Sequence, residues 1–223
     1  MPAFTLYGAR GSTNTDRVRL TLAEGGFTDY DMVFLNLPGG EQKSEEHVKR
    51  HPWGKVPVVV FPNGFTLYES RAICKYLCRK YGFQLLPPAA DIEATARVEQ
   101  AECTELAYFA EPAGTIVFET FAKKFIGLPT DEALVSKALR AVESFCDVVG
   151  GTLLKDQNYM AGDSFTAVDI YYIPLIQRLI ACGYGDVVLS RKAVGDWWER
   201  CMSRPAIQQT LEADKKALLG AKR

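Results

Sequence analysis

The chain has 223 residues, 48% of them hydrophobic, with a formal charge of −1 and a pI near 6.2. That is enough for one large or two small domains with a packed core. The charge balance excludes an electrostatic case for nucleic acid, and the basic pairs Arg79-Lys80 and Lys123-Lys124 read as solvated faces. No run of about 18 apolar residues suits a membrane span, and residues 1–11 lack the apolar core of a signal peptide, so a cytoplasmic protein is expected. The cysteines at 74, 78, 103, 146, 182 and 201 show no C-x-x-C pair and no His-rich partner region. They fit buried reduced thiols better than disulfides or a zinc site.

In chain order, Phe4 to Tyr7 reads as a short strand and Gly8 to Gly11 as a turn. Ser12 to Asp16 is a cluster of helix-capping residues ahead of Val18, Leu22 and Ala23, and Thr13 with Asp16 has capping-box spacing. The helix stops at Gly25-Gly26. This places the Ser12 hydroxyl beside the first free N–H groups of a helix, where a thiolate or alkoxide would be stabilised; a plain capping role suits the same residue equally. Tyr30 to Asn36 reads as a second strand, and Leu37 to Arg50 as a polar loop with at most a short exposed helix. Val56 to Phe61 is a buried strand with Pro57 near its start, and residues 61–65 turn into a further strand at Thr66 to Tyr68. Ile73, Tyr76 and Leu77 then fall at helical spacing, with Ser70 expected to cap their helix and Glu69 beside it. The result is an α/β unit with a mixed sheet, and its helix starts at Ser12 and Ser70 are both candidates for one anionic ligand. Gln84 to Asp91 is a Pro/Ala-rich link.

From Ile92 on the periodicity is helical. Val98, Cys103, Leu106 and Phe109 mark a long helix, expected to bend at Pro112 and Gly114 and to resume through Ile116 to Phe125. Pro129 to Asp131 opens another helix, carrying Leu134, Ala138, Leu139, Val142, Phe145 and Val149. In GDSFTAVDI, Thr166 as cap and Asp169 three residues on form a capping box, which makes Asp169 a folding residue rather than a catalytic acid. Helices over Val194 to Met202 and Ala206 to Leu219 follow, split at Pro205, and no internal repeat is present.

In combination LYGARGSTNTDRV, EQKSEEHVKRHPWGKVPVVV, LYESRAICKYL and GDSFTAVDI resemble the cytosolic glutathione transferases, the phi class in particular, over nearly the whole chain. The resemblance implies an α/β plus all-α protein. A thioredoxin-like, glutathione-binding domain would occupy residues 1–83, and an all-helical domain over 91–223 would complete the hydrophobic substrate pocket. It further implies that Ser12 is the catalytic serine, with Thr13 as the alternate hydroxyl, that Pro57 follows a cis peptide bond, and that Glu69 and Ser70 take the γ-glutamyl end. Val56 would pair its backbone with the cysteinyl residue, as an added strand does. Lys43 and Lys55 would reach the glycine carboxylate, and Gln42 would donate a hydrogen bond. Gln42 and Lys55 stand where many members have His and Gln, and Arg10-Gly11 ahead of the serine is unusual for the class.

The activity so implied is conjugation of the glutathione thiolate to small hydrophobic electrophiles, with glutathione peroxidase activity as a possible addition. Glutathione is then a co-substrate, no metal is needed, and the chain forms a homodimer that binds neither nucleic acid nor membrane. Tyr108, Phe118, Phe121 and Tyr172 are the candidate pocket aromatics, each of them also a reasonable core residue. The alternative is a ligandin that stores hydrophobic molecules. Thiol–disulfide exchange ranks last, because it needs a cysteine where Ser12 stands. Trp53, in a polar loop, would either enter a pocket of a second subunit or fold back onto its own sheet.

Overall fold

The computed structural model describes the backbone of residues 1–220 and the side chains of all of these except 125 and 215–220. The chain forms two compact units, residues 1–85 with the segment from Arg204 onward, and residues 86–203. The first contains β1 (Thr5–Gly8), α1 (Thr13–Glu24), β2 (Asp31–Phe34), α2 (Glu45–Arg50), β3 (Val58–Val60), β4 (Thr66–Tyr68) and α3 (Ser70–Tyr81), with a single 3-10 turn at Glu41–Lys43. The sheet order is β2-β1-β3-β4; β1 and β2 are parallel, and the β1–β3 and β3–β4 pairs are antiparallel. This mixed four-stranded sheet with its helices is the thioredoxin-like arrangement. Phe4, Leu6, Val18, Leu22, Val59, Ile73 and Leu77 are buried together as its core, each side chain contributing about 1.5–3 kcal/mol by leaving water.

The third strand is shorter than the apolar run Val56 to Phe61 suggests. Pro57 has no N–H to give to a ladder, and Phe61 N–H bonds Phe65 O at 2.9 Å to close the turn. Gly8 is required where β1 meets α1, since a Cβ there would lie 2.4 Å from Thr15 Cγ2. Thr15 is fully buried and accepts Ala9 N–H at 3.1 Å, which joins the start of the helix to the end of the strand.

The second unit is all-helical: α4 (Ile92–Thr104), α5 (Glu111–Val117), α6 (Lys123–Phe125), α7 (Glu132–Gly151), α8 (Leu153–Asp156), α9 (Ala167–Ala181), α10 (Gly185–Leu189) and α11 (Lys192–Met202). In place of a bend at Pro112-Gly114, π-helical turns at Glu105–Ala110 and Phe118–Ala122 lie on either side of α5. Pro112 cannot donate to the carbonyl four residues back, so the turn before it widens. Phe109, Phe145, Tyr172 and Trp197 form an aromatic core, with Tyr172 5.0 Å from Phe109 and 5.6 Å from Trp197 between ring centres. Tyr172 is therefore a core residue and not a pocket wall, whereas Tyr108 and Phe118 are exposed.

Asp169 is the fully buried hub of this unit. One oxygen accepts Thr166 N–H at 2.8 Å and the Thr166 hydroxyl at 3.1 Å, completing the capping box; the other accepts Met160 N–H at 3.0 Å and Trp197 Nε1–H at 2.9 Å. Burial raises its pKa against the opposing pull of these hydrogen bonds. The cysteines at 74, 78, 146 and 201 are buried, but Cys103 is exposed and Cys182 half-buried. Burial pushes the Cys78 and Cys146 thiols up to about 12, so neither offers a thiolate near neutral pH.

The last helix, α12 (Pro205–Gly220), differs from expectation in its allegiance. Its periodicity grouped it with the helical domain, but it joins the first unit. Arg19 on α1 makes a two-pronged ion pair with Asp214, 2.7 and 2.8 Å, and Arg204 reaches Glu24 at 2.6 Å. An amphipathic pattern says that a helix will bury a face, not which neighbour will cover it. Positions 221–223 of the expected second domain lie outside the described residues.

Candidate functional site

The strand register brings the candidate residues of the first unit to one end of the sheet. Tyr7 pairs with Val58, and Val58 with Tyr68. Gly8 follows Tyr7, Pro57 precedes Val58 and Glu69 follows Tyr68, so all three lie at this end of the sheet. The C-terminal ends of β1 and β4 and the N-terminal end of β3 thus share an edge, the place where α/β sheets present their ligand sites.

Ser12 follows β1 and caps α1. Its Oγ accepts Thr15 N–H at 3.3 Å, and its backbone is extended, as a cap requires. Thr13, which has capping-box spacing with Asp16, is the first helical residue and not the cap, and Asp16 pairs with Arg19 at 3.2 Å. A hydroxyl has one proton and two lone pairs. The cap uses a lone pair, which leaves the Ser12 proton for an anion.

Val56 precedes β3 across a cis Val56–Pro57 bond. Among the described residues neither its N–H nor its C=O is engaged by another backbone group, so both are available to an extended peptide. Glu69 is the one non-glycine among the described residues with positive φ, 70°, a conformation costing about 1–3 kcal/mol that persists where surroundings hold it. It occupies the cap position of α3 without a side-chain capping bond, and its side chain is exposed. Ser70, read from the sequence as the cap, is instead the first helical residue and is buried. The pattern before Ile73 locates this helix start only to within a residue, and the twisted backbone at Glu69 shifts it by one.

Gln42, Lys43 and Lys55 are joined to this edge through the segment 51–56. Gly54 has φ of 56°, and a Cβ there would lie 2.8 Å from Gln42 O and 2.9 Å from Lys43 Cδ. The Lys43 ammonium donates to Trp53 O at 2.9 Å. Gln42 Oε1 is buried without a hydrogen-bond partner, and the Lys55 side chain is exposed. Trp53 is 68% exposed, so its ring does not fold back onto the sheet.

Both histidines of the chain, which the motif reading left out, build this segment. His47 is buried on α2, and its Nε2 lies 2.7 Å from Lys55 O. A carbonyl only accepts, so Nε2 carries the proton. His51 is buried, stacks on Tyr68 at 4.7 Å and accepts Gly54 N–H on its backbone oxygen at 2.7 Å. The signal was legible in HVKRH, whose histidines fall four residues apart with Lys49 on the opposite face. Burial lowers the pKa of His51; His47 and Lys55 add to this, and Glu69 opposes it. Stability from the neutral ring is thus held above the unfolded-state pKa, about 6.5, and lost as pH falls through that value toward the lowered folded one, because the unfolded chain takes up the proton first. Thermal melts at decreasing pH should therefore fall more steeply for the wild type than for His51→Gln. Parallel pH slopes would contradict this role.

Family models place the chain: the glutathione S-transferase N-terminal domain matches residues 2–79 and the C-terminal domain residues 109–205. The chain belongs to the glutathione S-transferase family. It is 37% identical to glutathione S-transferase hmp2 of Hypomyces subiculosus, over 93% of this chain and 98% of that one. With glutathione S-transferase 1 of Zea mays the identity is 32%, over 94% and 96% of the two chains. Among solved structures, poplar glutathione transferase F1 superposes with a TM-score of 0.88 at 32% identity, covering 97% of this chain and 99% of that one. Glutathione S-transferase I from maize, in complex with an atrazine glutathione conjugate, gives 0.87 at 31% identity, covering 96% and 98%. Its relatives thus include F-type plant members of the family, as the phi-class resemblance led us to expect. Among the described residues of this glutathione S-transferase no helix is long and apolar enough to cross a membrane, and no cluster of three or more Asp, Glu, His or Cys residues is placed to hold a metal ion.

Proposed function

We propose that this family member is a serine-type glutathione transferase, in which Ser12 activates the thiol of glutathione and the edge formed by Val56, Glu69 and Ser70 holds the tripeptide. The observation that carries this reading is the register that pairs Val58 with both Tyr7 and Tyr68, so that the segments leading to the Ser12 cap, the Val56 backbone and the Glu69 carboxylate leave from one sheet end. Glutathione has two carboxylates, an ammonium and a thiol between them. Glu69 suits the ammonium, and the α3 N-terminus with Ser70 suits the γ-glutamyl carboxylate. Val56 pairs with the cysteinyl unit, Lys55 and Lys43 lie toward the glycine carboxylate, and Gln42 contributes a side-chain amide. The Ser12 hydroxyl then donates to the sulfur, whose proton passes to solvent as its pKa falls from about 8.5. The thiolate attacks the electrophilic carbon; the C–S bond forms as the leaving group departs with its electron pair. The maize relative holding an atrazine glutathione conjugate supports conjugation as the reaction.

The remainder of the proposal is a cytoplasmic detoxifying homodimer needing no metal, with the α/β unit for glutathione and the helical unit for the electrophile. The exposure of Trp53 supports dimer formation through this loop. A conjugation assay run beside dye displacement and peroxide reduction tests the reading. Conjugation at enzymatic rates supports it; dye binding without conjugation would make the protein a ligandin.

Glu69→Gln should raise the Michaelis constant for glutathione about tenfold, near the lower end for a lost charge-assisted bond because the carboxylate is exposed. The constant for the electrophile should stay within error. Unchanged glutathione affinity in folded Glu69→Gln protein would remove Glu69 from the site.

A further inference from the structure

Two residues before Ser12 in the chain, the turn after β1 and the loop after β2 form an open groove of about 340 Å³ at Arg10, lined by Ala9, Phe34, Leu35, Asn36, Leu37 and Pro38. That is near the lower end of the volumes that hold a small organic ligand. Ser12 N–H bonds the carbonyl of Ala9 at 3.3 Å, so the groove and the hydroxyl share one turn. Arg10 is the cation of this groove. Its guanidinium lies 4.2 Å from the centre of the Phe34 ring, and no carboxylate pairs with it among the described residues. Glu41, the acid of the adjoining loop, is occupied by Asn36 N–H at 2.7 Å.

The cation–π contact with Phe34 holds the guanidinium at the groove, and a guanidinium carries the planar donors that bind a carboxylate with two parallel bonds. The other walls are apolar apart from Asn36, whose Oδ1 accepts Gly39 N–H at 3.0 Å. On the reading that Ser12 activates glutathione, we propose that Arg10 is a specificity-determining residue: the preferred electrophiles carry a carboxylate on an aromatic or short apolar body, which lies against Phe34, Leu35 and Leu37 while Arg10 takes the anionic group. Neutral hydrophobic electrophiles fill the same walls without using the cation.

The test compares a chloronitrobenzoate with its methyl ester, each conjugated with loss of chloride, in the full-length wild type, Arg10→Gln and Arg10→Lys. Intrinsic reactivity cancels in the ratio of kcat/KM for acid over ester compared across variants. That ratio should fall roughly tenfold in Arg10→Gln, recover in part in Arg10→Lys, which keeps the charge but not the planar fork, and shrink in the wild type as salt is raised. An equal ratio in wild type and Arg10→Gln, with both compounds conjugated, would overturn the inference and leave the transferase reading standing. Equal loss on both compounds with a raised constant for glutathione would also overturn it, assigning Arg10 to the tripeptide. Failure of the wild type to conjugate either compound would remove the transferase reading and the inference together.

Discussion

Ser12→Ala should lower turnover about 10- to 1,000-fold while the affinity for glutathione changes little, the pattern left when one donor to a charged reacting atom is removed. In the structure the hydroxyl accepts Thr15 N–H as the cap of α1, and on the proposed reading its proton serves the thiol. The substitution should therefore also cost about 1 kcal/mol of stability, well short of unfolding the domain. Loss of the donor raises the pKa of the bound thiol, so the activity that remains should move toward the free thiol value of about 8.5, with the largest deficit at low pH. Ser12→Thr keeps both hydrogen-bonding roles and should retain most activity. Steady-state kinetics across pH on protein shown to be folded decides the matter: equal turnover in Ser12→Ala at every pH would move the role to Thr13 or to the helix end alone.

The largest expected loss of stability is at Asp169. Asp169→Ala leaves Met160 N–H, Thr166 N–H and Trp197 Nε1–H without their acceptor in a fully buried place. Each buried donor left unpaired costs about 1–3 kcal/mol, and relaxation makes the sum less than additive, so a loss of about 3–5 kcal/mol is expected. That is a large part of the roughly 5–15 kcal/mol that holds a typical domain folded. Urea unfolding followed through Trp197, which stacks edge-on to Tyr172 in the same core, should show the midpoint falling sharply. A loss under about 1 kcal/mol would mean that water or a neighbouring group satisfies the three donors, and Asp169 would not be the hub described.

The elements themselves were legible because their signals are local. Thr166 and Asp169 lie three residues apart, so their capping box is a property of the sequence, and the structure forms it. The mixed sheet and the run of helices after Ile92 followed in the same way from periodicity and from turn residues. Local rules placed helix starts only approximately: the capping role open to Ser12 is the one its backbone adopts, but Ser70 was preferred as a cap where the backbone chose Glu69.

By itself the sequence determined the mixed α/β unit, the helical remainder, the loop carrying Trp53, and the residue types able to grip a charged tripeptide. Tertiary structure alone decided what those residues face. It brings the ends of β1, β3 and β4 together through strand register, returns α12 to α1 through Arg19 and Asp214, buries Tyr172 against Trp197, and lines the groove at Arg10. The physical reason is that capping, turn chemistry and periodicity act over a few residues, whereas register, burial partners and cavity walls depend on segments far apart in the chain, whose contacts exist only after collapse.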